Sequence, residues 1–180
     1  NGHGHSPMTL MRGYAENMVL QDWLNKRIFP FENKLDGDAV YWGTMLAMAE
    51  STRFGIVSTS DMYYFAPDMV KATVDSGLKN NISRSIVNFA GENFEDMVAT
   101  KEMKFAVKNF HKSENGRIMI DASLHGEYTS DEKTARALAE YSKDAGINMH
   151  VHVSETKLEH EECKARHEGM TPVEYLNSCG

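Results

Sequence analysis

A short apolar run followed by a longer amphipathic stretch recurs along this sequence, and that period sets the fold class. "FGIVSTSDMYY", from Phe54 to Tyr64, is β-rich, and "APDMVKATVDSG" follows it with Met69, Val70 and Val74 at helical spacing and Gly77 as a C-terminal cap. "NNISRSIVNFA" reads as a strand, and "NFEDMVATKEMKFAVKNFHKSENG" as a long helix closing at Asn115 and Gly116. In "RIMIDASLH", Ile118, Ile120 and Ala122 alternate as a strand requires. "TSDEKTARALAEYSKDAG" opens with Thr129 and Glu132 in capping-box spacing and stops at Gly146. "INMHVHVSET" is a further strand and "KLEHEECKARHEG" a further helix. Upstream, "DGDAVYWGTMLAMAESTRFG" predicts a helix capped by Asp36 or Asp38. With the opening residues counted as the end of a strand, there are five strands. Strands alternating with helices of this length predict βαβ units and a parallel sheet, an α/β fold.

No linker or low-complexity segment divides the 180 residues, so one domain spanning 1–180 is expected. The balance of 19 Lys+Arg against 26 Asp+Glu, a net charge of -7, argues against a nucleic-acid or membrane partner. No apolar run approaches the length of a membrane span. Cys163 and Cys179 form no CxxC pair, which predicts a reducing, cytoplasmic setting. The twelve methionines are expected to fill the core. Trp23 and Trp42 are expected to pack helices against the sheet or to line the pocket wall, and His111, His160 and His167 to face solvent.

The histidines carry the chemistry. His3 and His5 in "NGHGH" are either the remnant of an expression tag or a metal-binding pair. Residues i and i+2 of a strand share a face, so both imidazoles can reach one transition metal. The same pattern recurs at His150 and His152, where the alternative is a pair of buried, satisfied histidines. His152 lies nearer the strand's carboxyl end and is preferred as a ligand. Glu155 follows three residues later, where a base beside a metal-bound water belongs. Residues 6–35 form a long excursion after the first strand, at the end where βα proteins build active sites.

Taken together, "HGHSPMTLMRGYAENMVLQDWL", "RIFPFENKL", "ISRSIVN", "SLHGEYTS" and "HVHVSET" resemble the amidohydrolase superfamily. Within it, the chain is most similar to the branch holding the methylthioadenosine/S-adenosylhomocysteine deaminases and the triazine chlorohydrolases. The resemblance implies an eight-stranded (β/α) barrel, of which this chain covers about strands 1 to 5 and is truncated at both ends. It implies metal ligands at His3, His5 and His152, and a proton-shuttling glutamate at Glu155. Substrate contacts fall on Glu32, Arg84 and His125. The family's usual "GPHSPY" is replaced here by "SLHGEY", and its second substrate arginine has no counterpart in "NFAGENFEDM". The sixth-strand histidine and eighth-strand aspartate lie outside the chain.

The implied reaction is hydrolytic removal of an amino group from a purine ring, on a divalent metal, zinc ahead of iron. The partner is then a small aminated heterocycle or nucleoside. A chlorohydrolase, or a deaminase of guanine or another heterocycle, is the alternative. An alternative of another class is a non-catalytic, self-associating half-barrel whose unpaired strand edges pair between copies, giving a homo-oligomer. Without the aspartate the 180-residue piece is expected to hold metal weakly or not at all, and to be inactive alone.

Overall fold

The computed structural model describes residues 1–180, which fall into two compact units. One holds residues 1–82 and 112–119, the other residues 83–111 and 120–180. The strands are β1 (Ser58–Tyr63), β2 (Lys79–Ile86), β3 (Ile118–Gly126) and β4 (Met149–His152), and β2 and β3 each contribute to both units. Their order in the sheet is β1-β2-β3-β4, and the β3–β4 pair is parallel, as the βα period predicts. Four strands form, not five. The expected first strand is reduced to one parallel bridge, Gly4 to Asp61, although Ser60 N–H still donates to Asn1 O at 2.9 Å and Met62 N–H to Gly4 O at 3.0 Å. Gly2 and Gly4 give this segment little side-chain packing to sustain a ladder.

In the first unit, Asp36, not Asp38, caps the helix Gly37–Arg53: its carboxylate accepts Ala39 N–H at 2.8 Å. The helix Ala66–Ser76 ends on Gly77 at φ 77, where a side chain would be strained. Val40, Met48, Met62, Met69, Ile82 and Ile118 are fully buried. Each large side chain so placed stabilises the fold by about 1.5–3 kcal/mol. Trp42, by contrast, is 64% exposed, its ring edge-on to that of Tyr41 at 5.0 Å. Trp23 donates its indole N–H to Ala15 O at 3.2 Å.

In the second unit the helix Val98–Phe110 stops five residues before Asn115. The His111 ring lies against the Ile120 backbone, with Nδ1 3.0 Å from its oxygen; Lys112, Glu114 and Asn115, which belong to the first unit, turn at positive φ. Thr129 and Glu132 form no capping box. Asp131 caps the helix Glu132–Ala145 by accepting Thr134 N–H at 2.8 Å, while the Thr129 hydroxyl donates to Gly126 O at 3.1 Å. The core gathers Ile86, Met103, Leu124, Leu138 and the Cys163 thiol at 0% exposure. No helix is long and apolar enough to cross a membrane.

Candidate active site

In the first unit His3 and His5 face each other, Nε2 to Nε2, at 3.3 Å. His5 Nδ1 lies 2.6 Å from Met62 O, which makes it the protonated nitrogen and leaves the lone pair on Nε2. Two nitrogens bonded at about 2.0–2.1 Å to one tetrahedral ion lie about 3.3–3.4 Å apart. The pair therefore fits two corners of a zinc shell. Behind it sits Asp61, fully buried, whose Oδ1 accepts Ser6 N–H at 2.8 Å and whose Oδ2 faces Asn80 Nδ2 at 3.4 Å. Burial pushes the Asp61 carboxyl up, against the hydrogen bonds from Ser6 and Asn80.

A 3-10 turn, Ser6–Met11, follows the pair directly. It lies on the helix Gly37–Arg53 where Gly43 lacks a side chain, and a Cβ there would meet Pro7 O at 2.6 Å. Glu32, further along the excursion, is half-buried and its carboxyl is pushed up by that burial, while the Tyr63 and Tyr64 hydroxyls pull the other way. The same burial, with Glu32 nearby, raises the Tyr63 phenol.

In the second unit the β3–β4 register pairs Leu124 with Val151 and Gly126 with His152, so His125 is the extra residue of a bulge. The bulge turns the His125 carbonyl toward His152, whose Nδ1 lies 2.8 Å from it. His152 thus keeps its lone pair on Nε2, as His5 does. The His125 ring packs against those of His152 and Tyr128 at 4.9 and 5.9 Å. Past β4 the chain turns sharply, and the buried Glu159 carboxylate accepts three successive backbone N–H groups, those of Ser154, Glu155 and Thr156. The Glu155 side chain, exposed, accepts a hydrogen bond from Tyr128 OH at 3.2 Å.

His125, His152 and Glu155 are thus brought together. Arg84 is not among them: its Nε binds Glu102 at 2.5 Å and its Nη1 binds Ser85 O. His150 Nδ1 meets the Ser83 hydroxyl at 3.2 Å.

The amidohydrolase family's sequence pattern matches residues 1–180. The chain belongs to the amidohydrolase family. It is 37% identical over 180 residues to a 5-methylthioadenosine/S-adenosylhomocysteine deaminase of Dictyoglomus thermophilum, covering all of this chain and 41% of that protein. Among solved structures it is similar to an adenosine deaminase of Xanthomonas campestris with bound zinc (TM-score 0.86, 25% identity, 100% of this chain and 41% of that one). It also shares the fold of the zinc-bound atrazine chlorohydrolase of Arthrobacter aurescens (TM-score 0.86, 19% identity, 100% and 45%). The chain spans about 41% of the length of the curated relative it matches.

Within this amidohydrolase, three supporting residues escaped the sequence reading. Glu127 stands where the family's "GPHSPY" has proline, and its buried carboxylate binds Arg166 Nη2 and His167 Nε2, each at 2.8 Å. His167 is accordingly not a solvent residue; it stacks on Tyr175 at 3.7 Å. Tyr128 and Glu159 are the other two. Thr156 and Glu159 do carry the spacing of a capping box, which forms and was readable.

Proposed function

We propose that the full-length protein is a metal-dependent hydrolase that removes the amino group from the purine ring of an adenosine-type nucleoside. The observation that carries this reading is the donor set: His5 and His152 each engage a backbone carbonyl through Nδ1, the arrangement that readies Nε2 for a metal. His3, His5 and His152 are the proposed ligands, and the zinc in the Xanthomonas relative supports zinc ahead of iron. Such an ion supplies Lewis acidity, making a water nucleophilic near neutral pH. Glu155 carries a proton to the ring nitrogen beside the carbon that loses ammonia. Glu32, His125 and Arg84 are the proposed substrate contacts. Glu32 suits a pair of ribose hydroxyls, because a partly buried carboxylate gains from donors that replace water.

The buried thiols of Cys163 and Cys179 support a reducing, cytoplasmic setting. Self-association through unpaired strand edges belongs to the same reading. The experiment is ammonia release by the full-length protein from methylthioadenosine, S-adenosylhomocysteine, adenosine and guanine. Release from an adenosine-type nucleoside supports the reading. No release from any purine defeats it, and chloride release from a triazine puts a chlorohydrolase in its place.

A further inference from the structure

We infer that Tyr128 is a positioning residue for Glu155, holding its carboxylate in the orientation from which the proton is passed. The inference rests on the reading of Glu155 as proton carrier. Four observations support it, all within the second unit. The Tyr128 hydroxyl donates to Glu155 Oε2 at 3.2 Å. The ring reaches there because Gly126 leaves space: a Cβ at Gly126 would meet Tyr128 Cε1 at 3.0 Å and Cδ1 at 3.4 Å. Gly126 is extended at φ -174, a conformation open to any residue, so it is the missing side chain that matters here.

The residues on either side of Tyr128 are pinned. Glu127 is clamped by Arg166 and His167, and the Thr129 hydroxyl sits between Gly126 O at 3.1 Å and His125 Nδ1 at 3.2 Å. The Glu155 backbone is fixed independently by Glu159, so the side-chain torsions of Glu155 are what remain to be ordered. A phenol that binds the carboxylate orders them. Burial and the nearby Glu155 raise the Tyr128 phenol, so it stays a donor throughout the working range and does not exchange the proton itself.

The test is Tyr128→Phe in the full-length protein, which removes the hydroxyl and keeps the ring, with Gly126→Ala as a second variant that keeps the hydroxyl and displaces the ring. Both should lower kcat about tenfold with KM within about twofold, since orientation of a proton carrier acts on the chemical step. The carbon-13 carboxyl resonance of Glu155, recognised as the one lost in Glu155→Gln, should move in Tyr128→Phe. A kcat within twofold of wild type in Tyr128→Phe overturns the inference, as does a loss confined to KM. If the wild type turns over neither purine nor triazine, the functional reading fails, and the resonance then decides the pairing: moved, it stands; unmoved, it falls.

Discussion

His152 Nδ1 lies 2.8 Å from the backbone carbonyl of His125, not from its side chain. The bulge in β3 provides that carbonyl, and the ring of His125 is a separate element with its own partner, Thr129. The two histidines should therefore separate experimentally. In the full-length protein His152→Ala removes a ligand and is expected to abolish stoichiometric zinc. His125→Ala keeps the carbonyl, so zinc affinity should fall by no more than about threefold while turnover drops. Elemental analysis after dialysis, beside the turnover assay, checks both. Zinc loss of equal size in the two variants would contradict the separation.

The Glu32 carboxyl, raised by burial, binds its proton more tightly folded than unfolded. Its protonated form thus favours folding, and that contribution is lost as pH rises through the folded value. Glu32→Gln is neutral at every pH. The variant should melt above wild type at about pH 7, with the difference shrinking toward about pH 4, where wild-type Glu32 is itself largely neutral. Melting curves across that range measure it, and a difference that grows toward acid would refute the assignment.

The Glu127–Arg166 pair is lopsided: the carboxylate is 2% exposed and the guanidinium 41%. Arg166→Met leaves the buried Glu127 carboxylate with His167 as its remaining partner and is expected to cost about 2–4 kcal/mol. Glu127→Gln leaves an arginine that water can reach, costing about 1 kcal/mol. Denaturant melts of the two variants should show this order. Equal losses would mean that the carboxylate is not as buried as the structure has it.

Gly43 lies in the middle of a helix, where alanine ordinarily gains about 1 kcal/mol. Here the added Cβ would meet Pro7 O at 2.6 Å, backbone that cannot swing aside. Gly43→Ala should therefore destabilise by about 1–3 kcal/mol and, by displacing the turn that follows His5, weaken zinc binding. A stabilised Gly43→Ala would show that the turn moves freely on the helix.

What could be read from the sequence was whatever depends on near neighbours. The βα period, the Gly77 and Gly146 caps and the i, i+2 pairing of His3 with His5 all follow from local spacing, and each stands in the structure. What escaped depends on distant partners. Nothing in "FHKSENG" announces that His111 reaches the Ile120 backbone and ends the helix. Thr129 and Asp131, two positions apart, are both of the residue types that cap helices, but Asp131 alone does so and the Thr129 hydroxyl goes to Gly126 O. The Tyr128–Glu155 and Glu127–Arg166 contacts join residues 27 and 39 positions apart, beyond the reach of any period. Trp42 misled because its size suggests burial, whereas its helix turns that face outward.

Zinc dependence tests the whole account most directly. The full-length protein is stripped with a chelator, and ammonia release from methylthioadenosine or the best purine substrate is followed as zinc is returned. Activity should rise linearly to one zinc per chain and then level off, and His152→Ala should stay inactive throughout. Full activity in the metal-free protein, or activity in His152→Ala equal to wild type, would contradict the account.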